Sequence, residues 1–265
     1  MCKVISIISC KGGVGKTTTA VNLSASIQNE GRHVCVIDFD HQHNLTMNLG
    51  VDQVSLEHHT TIYDLIETAI NDPDDEIMSV LVQDSIISTN TVDLIPATGK
   101  LAALENIIPM ATSREHLLEY IVSFLKNRYD YIFIDCHPGL DNFSQNALTA
   151  SDSVIIPVEA HIFGAEGLEQ TAAMIRMVKR RLNPKLYIEG VLITKYQGQT
   201  NYCKSVYQQI EEDFGHDVHI YPHKIKYAIK VAEAPAYGMP LIEYAPNIQP
   251  AIAYSKIARE VMQYA

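Results

Sequence analysis

Apolar residues along the chain follow two rhythms. Short apolar runs at Val4 to Ile8, Val34 to Ile37, Val92 to Pro96, Tyr129 to Ile134, Ser153 to Val158 and Ile188 to Thr194 have the length and β-branched content of buried strands. Between them apolar residues recur at helical spacing: Ala20, Leu23 and Ile27, then Ile62, Leu65, Ile66 and Ala69. Leu117, Leu118, Ile121, Val122 and Leu125 predict a helix from about Ser113 to Arg128, and Asn142 to Ala150 reads as another. Leu168, Ala172, Ile175 and Val178 predict one over Ala165 to Leu182, and Ala251, Tyr254, Ala258 and Val261 a terminal one. Strands alternating with helices predict an α/β fold: a doubly wound, mostly parallel twisted sheet with helices on both faces. Residues 51 to 90 carry little further pattern, and the acidic run Asp72 to Glu76 reads as a solvated turn.

The first strand runs into Cys10-Lys11-Gly12-Gly13-Val14-Gly15-Lys16-Thr17-Thr18, and the first helix follows. A glycine-rich turn there curls the backbone so that its N–H groups point inward, and the helix dipole adds positive potential at the same spot. A polyphosphate fits such a turn, with Lys16 on the β- and γ-phosphate oxygens and the Thr17 hydroxyl on Mg²⁺. Asp38 and Asp40 end the second strand, where ligands bind in parallel sheets. Tyr129 to Asp135 has the form of a Walker B segment, whose Asp135 would bind Mg²⁺ through a water. His41 and His43 flank this acidic end without a third ligand, and read as loop residues rather than a metal site.

Composition narrows the class. The 265 residues are 47% hydrophobic and 19% charged, which suits one ordered domain over residues 1–265. Five scattered cysteines lack C-x-x-C spacing, arguing against a zinc knuckle or disulfide framework and for a reducing cytosol. No signal peptide is read at the start, and no apolar run approaches the roughly 18 residues of a membrane span, so a cytoplasmic protein without stable membrane insertion is expected. A net charge of −11 disfavours indiscriminate attraction to nucleic acid but leaves room for a local basic face. Arg176, Lys179, Arg180 and Arg181 on one helix face read as a solvated surface.

The phosphate loop departs from G-x-x-x-x-G-K-[ST]: Cys10 stands at the first glycine, and Lys11 is a second lysine. This xKGGxGKT form resembles the deviant P-loop of the ParA/MinD group of ATPases, in which the extra lysine reaches the partner's nucleotide across a dimer interface. Asp38 through Thr46 resembles the group's D-x-D-P-Q-x-N-x-T segment, with His41 for proline and His43 for glycine. Asp40 then corresponds to the carboxylate that positions or activates the attacking water, and Asp38 to an Mg²⁺-shell or structural carboxylate. Cys136 to Leu140 resembles the tail of D-C-P-P-S-L, with His137 and Gly139 as departures, and Glu233 to Pro240 resembles S-E-A-P-S-x-G-x-P of the ParA/Soj partition branch. The tail Ala258 to Ala265 lacks the basic amphipathic character of the MinD branch, and Cys136 has no companion suited to an iron–sulfur bridge.

The resemblance implies a slow ATPase needing ATP and Mg²⁺, with Lys11, Lys16 and Asp40 as catalytic residues and Thr17, Asp38 and Asp135 toward the metal. It implies nucleotide contacts over Gly12, Gly13, Val14, Gly15, Lys16, Thr17 and Thr18, with Thr194 and Pro222 at the adenine. Its partners would be a second copy in the ATP state, a ParB-like adaptor and non-specific double-stranded DNA, making the protein nucleoid-associated when ATP-bound. Lys230 matches a DNA-contacting position of Soj-like proteins, the other such position falls on neutral Gln199, and Lys204, Lys224, Lys226 and Lys256 could rebuild a basic face. An ATP dimer that engages a protein or membrane surface is the alternative.

Overall fold

The computed structural model describes residues 2–161 and 164–263. The chain opens with β1 (Lys3–Ile7), α1 (Lys16–Asn29), β2 (Val34–Phe39), α2 (Asn44–Asn48), α3 (Ile62–Asn71) and α4 (Asp75–Ser85). It continues through β3 (Ile87–Ser88), β4 (Asp93–Ile95), α5 (Leu117–Ser123), β5 (Tyr131–Cys136), α6 (Asn142–Ala150) and β6 (Ser153–Glu159). It closes with α7 (Gly164–Arg181), β7 (Tyr187–Thr194), α8 (Asn201–Phe214), α9 (Ile229–Glu233), α10 (Leu241–Tyr244) and α11 (Gln249–Gln263).

These strands form one sheet in the order β3-β4-β2-β5-β1-β6-β7, parallel throughout except for the antiparallel edge β3. Successive side chains point to opposite faces, so the buried strands feed two cores. Val4, Ile8, Ile37, Phe39, Ile132 and Ile134 meet α3, α5, α6 and α7 on one face, and Ile5, Ile7, Val36, Phe133 and Ile155 meet α1 and α11 on the other. The doubly wound expectation is what the structure shows.

The expected helix from Ser113 to Arg128 is shorter, because Ser113 adopts φ 51° and Phe124 to Arg128 continue in tighter turns, with Leu125 N–H donating to Val122 O and Arg128 N–H to Leu125 O. The acidic turn at Asp72 to Glu76 leads into a helix instead of ending there, since the Asp74 side chain caps α4 by accepting from Glu76 N–H and Ile77 N–H. α8, unread in the sequence, is capped by Thr200 and buries Cys203, Val206 and Ile210. Among the described residues no helix is long and apolar enough to cross a membrane, and Tyr264 and Ala265 of the tail lie outside them.

Candidate nucleotide site

Register brings the acids together. Ile7, Asp135 and Asp38 are aligned across β1, β5 and β2, so two carboxylates end adjacent strands beside the start of the phosphate loop. Gly13 and Gly15 have φ of 73° and 89°, left-handed backbone that a side chain would strain, and Gly15 is the N-cap of α1. No side chain caps that helix and no acid lies in its first turn, so its N–H groups and dipole are left for an anion.

Lys16 is 6% exposed and its Nζ donates to Lys11 O at 3.3 Å across the loop. Burial pulls its ammonium below the ordinary value, while Asp135 and Asp40 act in the opposite direction. Asp135 is buried with neither carboxylate oxygen hydrogen-bonded. The nearby Thr17 hydroxyl favours its charged form without reaching hydrogen-bond geometry, and burial, with repulsion from Asp38, raises its pKa well above the carboxylate range. An uncompensated buried carboxylate is costly, and a cation is the partner that relieves it. Asp135 and Thr17 therefore fit Mg²⁺.

Asp38 is differently placed. Its Oδ2 accepts from Thr46 N–H (2.8 Å) and Thr46 Oγ1 (2.6 Å), and Thr46 Oγ1 accepts from Ala97 N–H, so this carboxylate fixes α2 to the sheet. Burial pushes its pKa up to about 7 despite the Thr46 bonds. Asp40, 5% exposed, accepts from Gln42 N–H at 2.9 Å and receives that turn through His43 N–H to its own carbonyl. His43 takes φ 45°, the left-handed geometry for which glycine is suited, and its Nδ1 lies 3.1 Å from His41 O. Among the described residues no group of three His, Cys, Asp or Glu side chains is arranged to hold a metal ion.

Several residues that build the site carry no motif. Thr171 Oγ1 accepts from Cys10 N–H, and Cys10 Sγ donates to Gly167 O, fastening α7 to the loop. Thr194 Oγ1 donates to Val14 O at 2.7 Å, and its methyl would lie 3.7 Å from a Cβ at Gly15. Its hydroxyl thus buttresses the phosphate loop, a different placement from the expected adenine contact. Pro222 is exposed, in a segment that runs beside β7 through the Val191–Ile220 and Tyr196–Lys226 bridges. Behind α1, Leu241 N–H donates to Asn22 Oδ1 and Tyr254 OH meets Thr19 Oγ1 at 3.2 Å, tying the C-terminal segment to the phosphate-bearing helix. The Lys11 stem lies over Gly167, where a Cβ would come within 2.8 Å of Lys11 Cδ. A cleft of about 520 Å³ opens here, lined by Lys11, Gly12, Glu159 and Gly167.

The surface lysines divide. Lys204, Lys226 and Lys256 are exposed, as are Arg176, Lys179, Arg180, Arg181 and Gln199. Lys230 pairs with Glu233 at 3.0 Å. Lys224 is withdrawn from the expected face: its Nζ sits 3.2 Å from the Tyr207 ring centroid and 5.0 Å from that of Tyr196, and burial lowers its pKa.

Residues 2–188 match the AAA domain family. The chain is 39% identical over 261 residues to the sporulation initiation inhibitor protein Soj of Bacillus subtilis, covering 98% of each chain. It is 33% identical over 264 residues to the chromosome partitioning protein ParA of Caulobacter vibrioides, covering 98% of this chain and 94% of that one. Among solved structures, a putative plasmid partition protein of Borrelia burgdorferi bound to AMPPNP superposes with a TM-score of 0.78 at 25% identity, covering all of both chains. Cobyrinic acid a,c-diamide synthase of Mycobacterium smegmatis, with a bound ATP analogue and magnesium, gives 0.83 at 25% identity, covering 100% and 96%.

Proposed function

The chain belongs to the ParA/Soj partition-ATPase branch of the AAA domain family, and from that premise we propose that it is an ATP hydrolase whose ATP-bound dimer holds duplex DNA. The observation that carries the nucleotide part is the buried, unpartnered Asp135 carboxylate beside buried Lys16 at the uncapped N-terminus of α1. That arrangement supplies oriented donors, one cation and one metal-directed anion around a single anionic ligand.

The backbone from Gly12 to Thr18 holds the phosphates, Lys16 neutralises the outer phosphate oxygens, and Thr17 and Asp135 hold Mg²⁺, with Asp38 behind them. Bound Mg²⁺ supplies charge neutralisation on the β- and γ-phosphates. Asp40 orients the attacking water, Thr194 braces the phosphate loop, and Pro222 borders the adenine side. Lys11, leaving its place over Gly167, reaches the nucleotide of the second copy. Hydrolysis stays slow until a ParB-like adaptor engages the dimer, which then releases its DNA. This cycle serves plasmid or chromosome partition in the cytoplasm, with the ATP state on the nucleoid.

DNA contact falls to exposed Lys204, Lys226 and Lys256, with Lys230, which pairs with Glu233, as a further candidate. Backbone neutralisation by such lysines is sequence-independent and falls steeply with salt. A second reading, a positioning ATPase whose dimer engages a protein or membrane surface, is favoured by the −11 charge and exposed, neutral Gln199. Gel mobility of an arbitrary duplex at low salt separates them. Retardation only with ATP and Mg²⁺, lost as salt rises, is expected. Unchanged mobility together with co-sedimentation on anionic liposomes would establish the second reading instead.

A further inference from the structure

Two histidines that depart from the ParA pattern, one next to Asp40 in the chain and one on the neighbouring strand end, meet in the fold. His41 follows Asp40 at the end of β2, His137 follows Cys136 at the end of β5, and their ring centroids are 5.7 Å apart. His137 is buried and held on three sides. Its N–H donates to Phe39 O at 3.3 Å, one rung beyond the β2–β5 ladder and a bond that proline at this position could not make. Its Nε2 lies 2.5 Å from Asp141 Oδ2, while Asp141 Oδ1 accepts from Ser144 N–H and caps α6. Its ring also meets the Phe143 ring edge-on at 5.8 Å.

Gly139, the third departure, explains how the ring fits. A Cβ there would lie 2.8 Å from both Cε1 and Nε2 of His137 and 3.2 Å from Asp141 Oδ2. Gly139 is absent from the glycines with positive φ, so glycine serves space here and an alanine would meet only the imidazole and its partner. On the far side His41 Nδ1 stands 3.6 Å from Glu105 Oε1. The contacts run without a break from the 3₁₀ segment Gly99–Glu105 through the residues flanking Asp40 to the cap of α6.

We propose that His137 is a positioning residue for Asp40, holding the end of β2 to the α6 cap so that this carboxylate keeps its orientation toward the phosphate loop. The proposal rests on Asp40 as the water-orienting carboxylate. The His137 N–H acts through the Phe39 carbonyl, and its ring through Asp141, Phe143 and the His41 ring. Small misplacements of an orienting group lower turnover steeply while leaving substrate binding intact.

The test compares His137→Ala, Gly139→Ala, the double variant and His137→Gln by steady-state ATP hydrolysis and by amide hydrogen exchange of the nucleotide-free protein. Each single alanine is expected to lower kcat about tenfold with KM for ATP within about twofold, and the double variant to fall no further. His137→Gln, whose side-chain amide reaches to about the position of the imidazole Nε2 and keeps a donor for Asp141, should return kcat to within about threefold of the parent. Exchange should quicken at Phe39 to Gln42 in both single alanine variants and stay unchanged along α1. Unaltered exchange at Phe39 to Gln42, or additive losses with KM rising alongside, overturns the proposal. A parent protein that binds ATP without hydrolysing it removes the hydrolytic reading, and the exchange data still decide whether His137 holds the strand end.

Discussion

Lys16 is buried and Lys224 half-buried, and in both burial lowers the ammonium pKa. Around Lys16 the compensation is charge: Asp135 and Asp40 face it, and Asp135 itself lacks a hydrogen-bond partner. Around Lys224 it is mainly aromatic surface, the rings of Tyr207 and Tyr196, with the Glu211 carboxylate also favouring the charged form. A cation beside an unsatisfied buried anion marks a place built for something else to enter, whereas a cation covered by rings is already complete. The same residue type therefore faces buried acids at the ends of the central strands and packs against rings beside the edge strand β7.

Exchanging the two lysines for alanine sharpens that contrast most. Lys16→Ala should weaken ATP binding by more than about a hundredfold, read by calorimetric titration, because a charge-assisted contact in a water-poor cradle is lost. Lys224→Ala should leave ATP affinity within about twofold while lowering the melting temperature by about 2–4 °C, the effect of roughly 1 kcal/mol of cation–π and stem packing. Equal effects of the two substitutions on nucleotide affinity would erase the distinction.

The surface lysines extend the comparison to DNA. Lys226→Ala should weaken duplex retardation several-fold and reduce the salt slope by about one ion, as loss of a phosphate contact does, whereas Lys224→Ala should barely change it. Equal losses would place Lys224 in the contact face despite its rings.

The smallest effect concerns Asp38. Its folded pKa of about 7 lies above the usual carboxylate value of 3.8, so the native state binds the proton more tightly than the unfolded chain. The associated stabilisation is present below pH 4 and is lost as pH rises through 7. Melting of the nucleotide-free protein between pH 5 and 8 should therefore fall with pH more steeply in the parent than in Asp38→Asn. Parallel curves would mean that the Thr46 bonds fully offset the burial of this carboxylate.

This division also explains what was legible in the sequence. The phosphate loop is written in consecutive residues because glycine backbone, helix start and lysine must follow one another along the chain. The alternation of strands and helices gave the sheet for the same local reason. Thr171 and Thr194 bind the loop from α7 and β7, more than 150 residues away, and no local spacing announces them. Lys224 lies half-buried over the Tyr207 ring, which comes from a helix that the apolar pattern did not disclose. The helix expected from Ser113 to Arg128 shortened at Ser113, where backbone φ overrides periodicity. His41, His137 and Gly139 read as separate departures along the chain, and in the fold they are neighbours.

The central claim is that a phosphate ligand in this cradle assembles two copies through Lys11. Sedimentation velocity on Asp40→Ala, in which hydrolysis is expected to stop, tests it most directly when set beside Asp40→Ala combined with Lys11→Ala. With ATP and Mg²⁺ the account predicts a dimer for the first and a monomer that still binds ATP for the second. A monomer in both, or a dimer in both, would contradict it.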